Sequence, residues 1–247
     1  MTIDAKWVAC ALAAILASGA AFTADTAHWA YSGEEGPGNW ARLAPEFSAC
    51  DGKNQSPVNL TGFIEADLKP IEISYQAGGD EILNNGHTVQ VNYAPGSSIS
   101  IDGVQFDLKQ FHFHAPSENH IDGKAYAMEA HLVHADKYGN LAVVALMFEE
   151  GAENKALAPI WSSMPEDAGG KKKLPSSFAV ARLLPSSHDY YSFNGSLTTP
   201  PCTEGVRWLI MKQPVTASKK QVEAFSHVMH HPNNRPVQPL NARPVLQ

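Results

Sequence analysis

The chain has 247 residues, which fits one large domain or two small ones and is ample to bury a core. Its 44% hydrophobic and 17% charged residues mark a globular chain and exclude a disordered one. A net charge of −7 argues against nucleic acid as a partner.

The first two dozen residues differ from the rest. Lys6 precedes WVACALAAILASGAA, an apolar stretch too short to span a bilayer comfortably, and Ser18-Gly19-Ala20 suits a cleavage site. Residues 1–24 therefore read as a secretory signal peptide cut between about 20 and 24, leaving 25–247 as one domain that is periplasmic or secreted. A retained anchor is the alternative, and no later segment is apolar enough to cross a membrane. Cys10 would leave with the leader. Cys50 and Cys202 then remain as an even pair in an oxidising compartment, open either to a bridge or to two buried thiols. A bridge would close a long loop, worth about 5 kcal/mol in the chain-entropy model.

Downstream, IEISY, TVQVNY, SISID, FDLKQFHFH, AMEAHLVHA and LAVVALMF predict strands by alternation or β-branched content. NNG at Asn84 to Gly86 and KYGN at Lys137 to Asn140 predict hairpin turns. Lys171-Lys172-Lys173, beside Gly169-Gly170 and Pro175, reads as a solvated loop. Pro159 interrupts ENKALAPIWSSM. TASKKQVEAFSHVMH predicts a helix capped by Thr216 or Ser218, with Val222, Phe225 and Val228 or Met229 on one face. His227, His230 and His231 fall near its end, where positive charge is favoured. The Pro-rich HHPNNRPVQPLNARPV should be extended and irregular.

The chemistry concentrates in QFHFHAPSEN, residues 110–119. In a strand, alternate side chains share a face, so His112 and His114 point one way and Phe111 and Phe113 the other. AMEAHLVHA offers Glu129, His131 and Val133 on one face and His134 on the opposite one. If the two strands are neighbours, three neutral imidazoles meet, the donor set of an open zinc site with its fourth position left to water. Gln110 and Glu129 each stand two residues before a histidine and can accept its second ring N–H, which orients a metal-bound imidazole. A cupin would also carry His-x-His and a following Glu118, but its glycine positions are occupied here by Phe106 and Ala125.

HFHAPSEN, MEAHLVH and above all YSFNGSLTTPPCTEGVRW resemble the α-class carbonic anhydrases, with NQSPVNL, NNGH and NNRPVQPLN in the family's order. The likeness runs from about His28 to the C-terminus, and the short connection between His114 and Glu118 resembles bacterial exported members. It implies a mainly β (α+β) single domain on a large twisted, mostly antiparallel central sheet with a few short peripheral helices. It implies reversible hydration of carbon dioxide to bicarbonate and a proton through a zinc-bound hydroxide, with one Zn2+ held by His112, His114 and His131. Glu118 and Thr198 would filter and align the nucleophile, and His87 would shuttle protons. Val133, Val143, Leu197, Val206 and Trp208 would wall the carbon dioxide pocket, and Thr199 would help hold bicarbonate. Tyr31, Asn85 and Gln90 would order relay waters, with Gln90 where relatives often carry Asn. Phe193 replaces a common tyrosine behind Thr198. Cys50 and Cys202 match the bridge of exported members. Weak esterase activity, inhibition by anions and sulfonamides, and no membrane contact after leader removal follow from the resemblance; the lack of surface insertions would suit a homodimer. The competing readings are a catalytically silent binding module on the same fold and a periplasmic zinc buffer.

Overall fold

Residues 27–247 are described by a computed structural model of the protein; the expected leader lies outside them. Period-2 patterning becomes strands along most of this length: β1 (Asn59–Leu60), β2 (Glu72–Ser74), β3 (Gly79–Asn84), β4 (Val89–Tyr93), β5 (Ser98–Ile101), β6 (Val104–His114), β7 (His120–Ile121), β8 (Met128–Ala135), β9 (Leu141–Glu150), β10 (Lys171–Phe178), β11 (Tyr190–Ser196), β12 (Glu204–Met211) and β13 (Val215–Ala217). Three α-helices are interspersed, α1 (Trp40–Leu43), α2 (Ala158–Trp161) and α3 (Lys219–Met229), along with three short 3-10 helices. Among these none is long and apolar enough to cross a membrane.

β1 and β7 pair in parallel; the other eleven strands form one sheet ordered β10-β3-β4-β6-β8-β9-β12-β11, with β5 also on β6, β2 on β5 and β13 on β9. The large sheet is antiparallel except where β9 meets β12 and β13. The architecture is thus mainly β, built on one mostly antiparallel sheet. The two predicted hairpin turns join β3 to β4 and β8 to β9, with Gly86 and Gly139 at positive φ.

Each face of the sheet has its own core. Phe111 and Phe113 are fully buried with Val91, Leu132 and Phe148, and α3 lays Phe225, Val228 and Met229 on that side. Burying a side chain of this size contributes about 1.5–3 kcal/mol. Ser218, not Thr216, caps α3 in a capping box with Gln221. The opposite face carries Val143, Ala145, Met147, Phe193, Val206, Trp208 and Ile210. A smaller cluster of Trp40 and Phe47 surrounds Cys50 and Cys202, which form the disulfide.

One expectation is corrected. Lys171-Lys172-Lys173 is not a loop but the start of β10, paired with Leu83, Ile82 and Glu81. β10 ends the sheet's path, and its three lysines are exposed. Charged side chains on such an edge discourage pairing with another chain, so low apolar content there signals protection and not irregularity.

Candidate metal centre

Strand register assembles the site. β6 and β8 are antiparallel neighbours, with His112 opposite His131, Gln110 opposite Val133 and His114 opposite Glu129. The three imidazoles therefore share one face of two adjacent strands, the face away from Phe111 and Phe113. Ring centroids lie 5.0 Å apart for His112 and His114, 5.2 Å for His112 and His131, and 4.6 Å for His114 and His131. One ring nitrogen from each residue falls within 4.8 Å of the others.

The remaining ring nitrogens are all engaged. His112 Nδ1 is 2.8 Å from Gln110 Oε1, His114 Nδ1 is 2.7 Å from the Asn233 carbonyl, and His131 Nε2 is 2.9 Å from Glu129 Oε1. These oxygens only accept, so each of those nitrogens carries the proton. The bare lone pairs are then His112 Nε2, His114 Nε2 and His131 Nδ1, the atoms that converge. His114 Nε2 is buried with no hydrogen-bond partner. Burial pushes all three imidazoles below their usual pKa, and the neighbouring histidines add to this at His112 and His131. Neutral imidazoles with an orphaned buried lone pair fit a divalent ion of zinc's preferences.

The carboxylates behind the trio are fully buried. Glu129 accepts the main-chain N–H groups of Glu118 and Asn119 at 2.8 Å and the Asn119 amide at 2.8 Å, besides His131. Glu118 Oε1 accepts the Arg235 N–H at 2.8 Å, while Oε2 lies 3.5 Å from His114 Nε2. Burial raises Glu118 to about 8, opposed by the Arg235 N–H and the Thr198 side chain. Thr198 thus acts on this carboxyl, although Oε2 closes no hydrogen bond of good geometry.

Val143, Val206 and Trp208 are buried in one cluster, with Val133 and Leu197 packed on it, and the Trp208 ring sits 4.9 Å from that of His131. Phe193 stacks on Trp208 at 6.0 Å. Thr199 accepts the Cys202 N–H at its carbonyl, which ties its loop to the disulfide.

At the rim, His87 is half-buried and stacks on Trp29, with centroids 3.7 Å apart. Burial lowers its pKa, with His28 and His231 adding repulsion. Tyr31 is 6.4 Å from His87, and its buried hydroxyl has no partner. Asn85 uses its side-chain oxygen on the His87 and Thr88 N–H groups, within its own turn. Gln90 lies opposite His112 and donates to Asn92 at 2.7 Å. Sequence reasoning missed Asn233, Asn119, Arg235 and Trp29. The stretch NNRPVQPLN held two of them and was noticed only as part of a resemblance.

Residues 35–247 match the family model for the eukaryotic-type carbonic anhydrases. A carbonic anhydrase of Pectobacterium carotovorum is 50% identical over 223 residues, covering 90% of this chain and 91% of its own. The α-carbonic anhydrase of Thermovibrio ammonificans, solved with the inhibitor sulfanilamide, superposes with a TM-score of 0.88 at 48% identity over 90% of this chain and 99% of its own. A hyperthermostable carbonic anhydrase from a hydrothermal vent chimney gives 0.87 at 52% identity, over 89% and 99%.

Proposed function

The chain belongs to the eukaryotic-type carbonic anhydrase family, enzymes of carbon dioxide hydration, and from that premise we propose that it works with one zinc ion held by His112, His114 and His131 and with His87 as proton carrier. The observation that carries this reading is the convergence of three bare ring nitrogens whose opposite nitrogens are all bonded to acceptors.

When bound, zinc supplies the Lewis acidity that makes water a nucleophile near neutral pH, as is long established for carbonic anhydrases. The protein's own groups do the rest. Gln110, the Asn233 carbonyl and Glu129 hold the three tautomers. Glu118, anchored by the Arg235 N–H, turns Oε2 toward the trio; ionised beside a bound cation, it would accept a hydrogen bond from the Thr198 hydroxyl. Thr198 then has only lone pairs to offer, so it selects a nucleophile that still bears a proton and aims its free pair at the substrate. Val133, Val143, Leu197, Val206 and Trp208 form the apolar wall against which carbon dioxide rests without competing water. Thr199 steadies the bicarbonate oxygen. His87, on the open side, takes the proton at a ring nitrogen and passes it to buffer.

The sulfanilamide complex of the Thermovibrio relative supports sulfonamide inhibition here. The disulfide supports export behind a cleaved leader. The test is to measure metal content and stopped-flow carbon dioxide hydration on protein as purified, after chelation and after zinc return. Activity should vanish and recover in step with one zinc per chain; full activity in metal-free protein overturns the reading.

A further inference from the structure

Asn233 lies in the irregular segment after α3, with no accessible surface. Its main-chain oxygen takes the His114 Nδ1–H. Its side chain makes a separate set of bonds. Oδ1 accepts the Ala115 N–H at 2.9 Å, and Nδ2 donates to the Phe113 carbonyl at 2.9 Å and to the His87 carbonyl at 3.0 Å. Phe113 and Ala115 flank His114 in sequence. One amide, with both its N–H groups and its oxygen in use, therefore ties the strand bearing a trio member to the backbone of His87. The other hydrogen bonds of residues 85–87 stay within their own turn: Asn85 N–H to the Thr88 carbonyl, Gly86 N–H to Asn84 Oδ1 and His87 N–H to Asn85 Oδ1. A buried amide with every bond satisfied cannot rotate without orphaning polar groups, so this link is stiff.

We propose that the Asn233 side chain is a positioning residue for proton release, setting the place of His87 relative to the trio, while its main chain orients His114 independently. The proposal rests on His87 being the proton carrier. It separates two functions that share one residue. Removing the side chain leaves the carbonyl that His114 needs, so metal affinity and proton release should respond differently.

The experiment uses Asn233→Ala, His87→Ala and the double variant, all zinc-loaded, with zinc affinity measured by chelator competition. In Asn233→Ala the zinc dissociation constant should change by less than about tenfold, within the range for lost outer-shell support. Turnover in weak buffer should fall about tenfold through misplacement of His87, and added imidazole should restore it. The ratio kcat/KM, which precedes proton release, should fall by less than weak-buffer turnover does. In the His87→Ala background, Asn233→Ala should add no further loss of turnover. A loss that imidazole does not restore, or one that adds to that of His87→Ala, overturns the proposal. If His87→Ala itself leaves weak-buffer turnover unchanged, the shuttle reading falls first and the proposal with it. Should Asn233→Ala not fold, Asn233→Ser, whose hydroxyl is too short to span Ala115 and His87 together, is held to the same outcomes.

Discussion

His131 and His134 stand three residues apart on β8, both buried and both shifted to low pKa by that burial, yet their surroundings differ. His131 points to the face where two other imidazoles aim bare nitrogens at the same place. His134 points to the other face, where Nε2 meets the Tyr75 hydroxyl at 2.8 Å. Each side has its orphan, His114 Nε2 on one and His134 Nδ1 on the other. Burial and neutrality alone thus do not mark a ligand. What separates the two sides is the number of lone pairs that converge and whether each opposite nitrogen is held by an acceptor.

The sharpest break of that contrast is His131→Ala. On the proposed reading, in which a bound zinc generates the nucleophile, it should remove zinc and lower carbon dioxide hydration by at least about a thousandfold. Metal analysis and stopped-flow assay on folded protein would show it, and retention of both would end the distinction.

His134 should instead govern stability. Its folded pKa is near 4 against about 6.5 when unfolded, so the unfolded chain takes up its proton first as pH falls. Its contribution is whole above pH 6.5, declines from 6.5 to about 4 and is then lost, a change of about 3 kcal/mol. Denaturant titrations across that window should show the slope in the parent and a flatter one in His134→Gln, with hydration activity near pH 7.5 within about twofold of the parent.

Thr198→Ala tests the trio's surroundings. Loss of one aligned donor should lower kcat/KM about a hundredfold with zinc content unchanged. A drop in zinc content instead would recast Thr198 as structural. The smallest effect expected is that of His87→Ala. Direct release from a group of pKa near 7 to water is limited to about 10^3 s⁻¹, so turnover in weak buffer should sink toward that ceiling and rise again with imidazole. Unchanged turnover in weak buffer would remove His87 from the mechanism.

Much of the site could be read along the chain because its parts are local. The i, i+2 spacing places Gln110 with His112 and Glu129 with His131, and the structure joins each pair at 2.8 and 2.9 Å. The same period sends Phe111 and Phe113 to the far core. Other parts were unreadable because they are remote. Asn233 lies 119 residues from His114, and Arg235 lies 117 from Glu118. The edge lysines were misread because their pairing with β3 depends on a sheet formed from distant segments. Glu118 and Thr198 stood out only through resemblance, since nothing near either residue distinguishes a buried position from a surface turn.

What the sequence determined by itself is which side chains share a face, because side-chain alternation is a property of each strand alone. It also determined the hairpin turns, which close over a few residues, and narrowed the cap of α3 to Thr216 or Ser218. Only the tertiary structure decided that His112 meets His131, that Glu118 is held by a main-chain N–H from the far end of the chain, and that one buried amide joins the His87 backbone to the residues flanking His114. Those contacts depend on register and loop closure between distant segments, and shifting one strand by a single residue would turn His131 away and bring another side chain to the trio.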